Sequence, residues 1–170
     1  MCRVLAHIPE SIGNLTLSRL ILSGNAMTGM IPATIGNDHA TLTLLYVDNN
    51  QFTGTLPSHL TKNPLMGLTL DLNHLSGTIP SEFGDLASQL MVISGMFNQF
   101  TGMFPEKLCQ ANACSFGYNK LECPNDSACK KCGIDSCNCG NVCYTDTDCD
   151  GGSCGGCSKG PFGVDTCGGQ

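Results

Sequence analysis

Thirteen cysteines are the residues of this 170-residue chain best suited to chemistry, and twelve of them fall between Cys109 and Cys167. Cys129-x2-Cys132 and Cys154-x2-Cys157 are separated by 21 residues, close to the two-knuckle spacing with which four thiolates hold tetrahedral zinc. Such a site would leave the remaining cysteines unused, so disulfides are the expected use and no metal is expected. Asp146-x-Asp148-x-Asp150-Gly151 opens like a calcium loop. Its twelfth position is Cys157 instead of a bidentate Glu and no flanking helix pattern is evident, so it reads as a solvated turn. His39, His59 and His74 sit at different places in the repeats described below and do not converge on a metal or catalytic centre. The chain has neither a nucleophile elbow nor a phosphate loop, and no His is placed to activate a Cys or Ser. A non-catalytic protein without a cofactor is therefore expected. Asn14-Leu15-Thr16 and Asn125-Asp126-Ser127 are N-glycosylation sequons.

Composition narrows the partners and the compartment. A formal charge of −6 argues against nucleic acid and offers no basic patch to an anionic membrane. No apolar run reaches the length of a membrane span, and residues 1 to 7 lack the basic, apolar and small-residue series of a signal peptide. A cysteine density of this kind is typical of an oxidising compartment, against the alternative of a cytosolic protein with free thiols. Extracellular or cell-surface placement is expected. Ile8 and Pro9 already stand in the middle of a repeat with no polar cap before them, so the chain is expected to begin partway through a longer parent, with Cys2 either a remnant disulfide partner or an accidental residue.

The elements that must position any site are written in a phrase that returns four times: Asn, two residues, Thr or Ser, Gly, any residue, an aliphatic or Phe, Pro. The copies run from Asn25 to Pro32, Asn50 to Pro57, Asn73 to Pro80 and Asn98 to Pro105. Pro9, Pro32, Pro57, Pro80 and Pro105 are 23, 25, 23 and 25 residues apart, a solenoid period. Ahead of the Asn come Leu20-Ile21-Leu22, Leu45-Tyr46-Val47 and Leu68-Thr69-Leu70, whose alternation predicts a short strand of a parallel sheet in each coil. An inward Asn, carrying both donor and acceptor, can satisfy the peptide groups of neighbouring coils. The Gly permits a backbone that other residues resist, and the Pro fixes φ where no ladder needs its missing N–H. Asn63-Pro64 is expected to break any helix on the convex side of the third coil. The fourth coil reads Ile93-Ser94-Gly95, with Gly where a core Leu is expected. An unfilled gap there would cost roughly 2 to 5 kcal/mol.

These residues, with Ile12-Gly13-Asn14-Leu15 and Ile35-Gly36-Asn37 after the Pro, resemble the plant-type extracellular leucine-rich repeat of receptor-kinase ectodomains and polygalacturonase-inhibitor-like proteins, over about residues 8 to 108. The resemblance implies an α/β-type leucine-rich-repeat solenoid of short parallel strands with a mostly irregular convex side, a second short strand at the Thr-Gly-x segment, and binding of a protein, peptide or cell-wall polysaccharide. By register the outward side chains are Arg19, Ile21 and Ser23, then Leu44, Tyr46 and Asp48, then Gly67, Thr69 and Asp71, then Val92, Ser94 and Met96. Arg19, Ile21, Tyr46, Asp48, Thr69, Asp71, Ser94 and Met96 form the expected ligand face, since an aromatic, aliphatics and two stacked carboxylates suit a peptide or protein. Regular Thr28, Thr53, Ser76 and Thr101 make a weaker ice-binding or structural surface.

The Cys-rich end carries a second resemblance. The spacing Cys139-x3-Cys143-x5-Cys149-x4-Cys154-x2-Cys157-x9-Cys167-Gly168 is similar to the potato-type cystine-knot carboxypeptidase inhibitors. Six cysteines alone allow fifteen pairings; the resemblance implies Cys139 with Cys154, Cys143 with Cys157, and Cys149 with Cys167. It also implies a metallocarboxypeptidase as partner, but those inhibitors grip the enzyme with apolar side chains after the last Cys, and here only Gly168-Gly169-Gln170 follows. The expected organisation is a solenoid over 1–108, a Cys-rich cap or linker over 109–138 in which the remaining six tail cysteines pair among themselves, and a small disulfide-rich, knottin-like module over 139–170. The function that follows is extracellular recognition through the sheet face, with protease inhibition by the tail as the alternative.

Overall fold

The computed structural model describes residues 6–37, 41–123 and 131–134, and the backbone of 157–159 and 165–167. Five short strands stack in parallel, one per coil: β1 (Arg19–Ile21), β3 (Leu44–Tyr46), β5 (Gly67–Thr69), β7 (Val92–Ser94) and β9 (Ala113–Ser115). Their register aligns Leu20, Leu45, Leu68, Ile93 and Cys114 as successive partners. Leu45, Val47, Leu68, Leu70 and Ile93 are fully buried, as the alternation requires.

The second strand implied by the resemblance is present in each coil: β2 (Thr28–Met30), β4 (Gln51–Thr53), β6 (Ser76–Gly77), β8 (Gln99–Met103) and β10 (Lys120–Glu122). β2 pairs with β4, and β6, β8 and β10 form a three-stranded sheet; a single bridge from Thr55 to Ser76 links the two ladders. The phrase glycines Gly29, Gly54, Gly77 and Gly102 have φ of 83°, 80°, 75° and 74°, a region in which a Cβ is strained. Each Pro then stands just before a 3-10 turn, at Glu10–Asn14, Ala33–Gly36, Ser58–Lys62, Ser81–Leu86 and Glu106–Gln110. The third turn stops at Asn63, whose extended φ of −84° and ψ of 148° are what the following Pro64 imposes.

The inward asparagines clamp coil to coil. Asn73 Oδ1 accepts from the Phe52 N–H at 2.9 Å, and its Nδ2 donates to Val47 O and Leu70 O, both at 3.0 Å. Asn50, Asn98 and Asn119 repeat the arrangement against the coil before each. Asn63 is a further clamp that the phrase does not announce, accepting from Leu42 N–H and donating to Ile35 O and Leu60 O. Asn25 is exposed, and among the described residues its side chain bonds Leu22 O and Ser23 O of its own coil.

The gap at Gly95 is filled. A Cβ there would come within 2.7 Å of the Phe116 ring and 3.2 Å of Phe100. Phe116 is fully buried and meets Phe100 edge-on at 6.3 Å and Phe104 at 5.2 Å between centroids, so the small residue makes room for a large one from the next coil. Burying that ring contributes about 1.5–3 kcal/mol.

The ladders continue past Leu108. β9 and β10 build a fifth, shorter coil from the Cys-rich segment, and Cys114 takes its inward strand position. A disulfide joins Cys114 to Cys132, which is fully buried and whose carbonyl accepts from Phe116 N–H at 2.7 Å. Cys132 is thus not available as a zinc thiolate. Cys123 is also disulfide-bonded, and Cys109 Sγ lies 3.3 Å from Cys132 Sγ. Farther on, β11 (Cys157–Lys159) and β12 (Asp165–Cys167) pair antiparallel with Cys157 opposite Cys167. The pairs Cys139–Cys154, Cys143–Cys157 and Cys149–Cys167, the calcium-like loop, His39 and Asn125 lie outside the described residues or rest on residues that do. Among the described residues no helix is long and apolar enough to cross a membrane.

Candidate functional site: the face of the parallel sheet

The five-stranded sheet presents alternate side chains in rows across successive coils, because a parallel register places each outward residue beside its counterpart one coil on. Arg19, Leu44, Gly67, Val92 and Ala113 form one row; Ile21, Tyr46, Thr69, Ser94 and Ser115 form the next. Ile21 is 58% exposed and Arg19 is exposed, whereas Tyr46, Asp48, Thr69, Asp71 and Met96 are half-buried. Ser94 is mostly covered, at 8% exposure.

Ser94 is covered because its hydroxyl bonds a carboxylate. Asp71 accepts from Ser94 Oγ at 2.5 Å and from the Met96 N–H at 2.6 Å. One coil earlier, Asp48 accepts from Thr69 Oγ1 at 2.6 Å and from Ser23 Oγ at 2.7 Å. The two carboxylates are therefore fixed in place before any ligand arrives. Burial pushes the Asp71 carboxyl above its ordinary range; the bonds from Ser94 and Met96 act against that, and the neighbouring Asp48 charge adds to it. Charge, hydroxyls, an aromatic ring and aliphatics are all held on short strands, where they can recognise a ligand. The described residues contain no group of three His, Cys, Asp or Glu able to hold a metal ion, and His59 and His74 are exposed in different segments.

One column on this face was not legible from alternation. Gly24, Asn49, Leu72, Phe97 and Tyr118, the residues just before Asn25, Asn50, Asn73, Asn98 and Asn119, all have left-handed φ, of 71°, 54°, 54°, 54° and 58°. For the four that are not Gly this costs of order 1–3 kcal/mol each, a strain the clamps beneath them hold. Phe97 and Tyr118 stack at 4.1 Å with their planes 8° apart, and Leu72 is 52% exposed, so the column adds an apolar strip beside Asp71 and Met96. The signal available in the sequence was position relative to the Asn, not hydropathy.

The Leucine Rich Repeat family model matches residues 41–63, the second coil with its strand and third turn. The fold is a leucine-rich-repeat solenoid, similar to those of plant receptor-kinase ectodomains. The solved structures that resemble the solenoid include the plant peptide hormone receptor RGFR1 in complex with RGF2, at 34% identity and a TM-score of 0.64, covering 69% of this chain and 19% of that one. The Arabidopsis receptor kinase HAESA ectodomain, in complex with an N-terminally extended IDA peptide hormone, matches at 32% identity and 0.62, covering 69% and 20%. The ectodomain of the receptor kinase SOBIR1 from Arabidopsis thaliana matches at 31% identity and 0.61, covering 70% and 66%. The leucine-rich-repeat chain thus spans about a fifth of the length of the first two. No curated protein matches it.

Proposed function

We propose that the chain is a non-catalytic, extracellular recognition module that binds a peptide or protein through the sheet face. The observation that carries this reading is the pair Asp48 and Asp71, each anchored by two internal hydrogen bonds in adjacent coils and flanked by Tyr46, Ile21 and the Leu72–Phe97–Tyr118 strip. Preorganised polar groups beside apolar surface lose little entropy when a ligand docks. That two of the similar ectodomains are described in complex with peptide hormones supports a peptide as the first ligand class to try; a cell-wall polysaccharide is the other. In this reading the solenoid is the working part, residues 109–138 cap it, and the knottin-like segment 139–170 is a stapled appendage.

The test is selection from a randomised peptide library displayed on phage, using the oxidised full chain as bait, followed by titration of enriched peptides against Tyr46→Ala and Asp71→Asn. An anchor of this kind costs about 2 kcal/mol or more when truncated, so affinity is expected to fall by roughly thirtyfold for Tyr46→Ala. Enriched peptides that bind both variants as tightly as the parent would place the binding site elsewhere and overturn the reading.

A further inference from the structure

We infer that Asn14 is an N-glycosylation site, carrying an oligosaccharide on the turn flank of the first coil and away from the sheet face. The inference rests on the extracellular part of the reading above and on nothing about the ligand.

Of the described asparagines, only Asn14 heads an Asn-x-Ser/Thr triplet, with Thr16 two residues on. Its surroundings differ from those of its fellows. Asn50, Asn63, Asn73, Asn98 and Asn119 are consumed by the fold, each giving Nδ2 to backbone carbonyls. Asn14 makes no side-chain hydrogen bond among the described residues. It closes the 3-10 turn Glu10–Asn14 and is exposed, as are Leu15 and Thr16, with Leu15 at 56%. Leu15 is extended, with φ of −97° and ψ of 137°, so the triplet leaves the turn as an open strand-like segment. The amide nitrogen can therefore carry a bulky substituent without breaking a clamp or entering the core, which no inward Asn could do.

The chemistry is a glycosyl transfer from a lipid-pyrophosphate-linked oligosaccharide. Asn14 Nδ2 attacks the anomeric carbon of the reducing-end sugar, the C–O bond to pyrophosphate breaks, and one amide proton is lost as the lipid pyrophosphate leaves. No oxidant or metal on this chain is needed. Beyond Asn14 the product adds a hydrophilic mass beside the exposed Leu15 and the half-buried Ile12, Leu17 and Leu20.

The experiment translates the full chain behind a cleavable leader in the presence of microsomes and analyses the protease-protected, lumenal fraction by peptide mapping. The peptide containing Asn14 is expected to carry a glycan that amidase treatment removes, leaving Asp at that position. Asn14→Gln and Thr16→Ala should abolish it, and Thr16→Ser should retain it. An unmodified Asn14 in protected chain overturns the assignment. A glycan on chain that selects no peptide through its sheet face leaves this site standing and sinks only the ligand reading, and Asn14→Gln should leave any such binding unchanged.

Discussion

Tyr46 lies across the backbone of Gly67 in the next coil: a Cβ placed on Gly67 would come within 2.9 Å of the Tyr46 hydroxyl and 2.9 Å of Leu44 Cδ2. Gly67 is buried under these side chains, and its φ is not in the left-handed region that would call for Gly on its own account. What the position requires is room, and the ring of the proposed anchor occupies it.

Gly67→Ala should therefore separate binding from stability. The atoms in the way are the ends of side chains that can rotate, so the unfolding midpoint should move by less than about 1 kcal/mol equivalent. The Tyr46 ring must leave its seat, and peptide affinity should drop toward that of Tyr46→Ala. With no Trp in the chain, tyrosine fluorescence reports the displacement as a difference from the parent, to which Tyr118 and Tyr144 contribute a common background. Unchanged fluorescence together with unchanged affinity would show that the seat is not needed.

The clamps predict a sharp contrast between asparagines. Asn73→Ala leaves the Phe52 N–H without a partner inside the solenoid, at about 1–3 kcal/mol, and takes one of two donors from the Val47 and Leu70 carbonyls, which keep Asn50 and Asn98. Asn25→Ala removes bonds made at an exposed site and should stay within about 0.5 kcal/mol. Chemical denaturation of the two variants side by side reads the difference; similar midpoints would refute the ladder as a stabilising device.

Asp71 gives a pH dependence whose sign can be fixed in advance. Burial raises its folded pKa above the unfolded value, so between those two values the folded chain binds more protons. Its contribution to stability is then fully present below the unfolded pKa and is lost as pH rises through the folded one. Asp71→Asn should remove this part of the profile, and Asp48→Asn should lower the Asp71 pKa by taking away a neighbouring charge. Carboxyl NMR titration checks both; an Asp71 that titrates at or below the ordinary range would contradict the burial argument.

The fifth coil should depend on its disulfide. Cys114 and Cys132 are 18 residues apart, and closing a loop of that size is worth about 3 kcal/mol. Because Cys109 Sγ is 3.3 Å from Cys132 Sγ, the single Cys114→Ala variant leaves a nearby sulfur for Cys132. The double variant Cys114→Ala/Cys132→Ala is the cleaner measurement, and hydrogen exchange should then open Ala113–Ser115 and Lys120–Glu122 ahead of the middle coils. Uniform protection across all five coils would show the bond to be dispensable.

Much of this molecule was legible in its sequence because its rules are local. The spacing of Pro9 to Pro105, the alternation around Leu45 and Leu68, and the Asn-to-Pro phrase determined the period, the strands, the outward rows and the inward clamps, since each follows from residue types within one coil. Matters between coils needed tertiary structure. That Phe116 fills the space above Gly95, that Tyr46 lies on Gly67, that Cys114 stands in for the core aliphatic of a fifth coil, and that Ser94 is spent on Asp71 each depend on residues about 20 positions apart meeting through the register. The left-handed column from Gly24 to Tyr118 is of the same kind. Side chains as different as Leu72 and Phe97 accept that backbone because the asparagine after each is clamped to the coil before it, and propensity at a single position carries no record of that constraint.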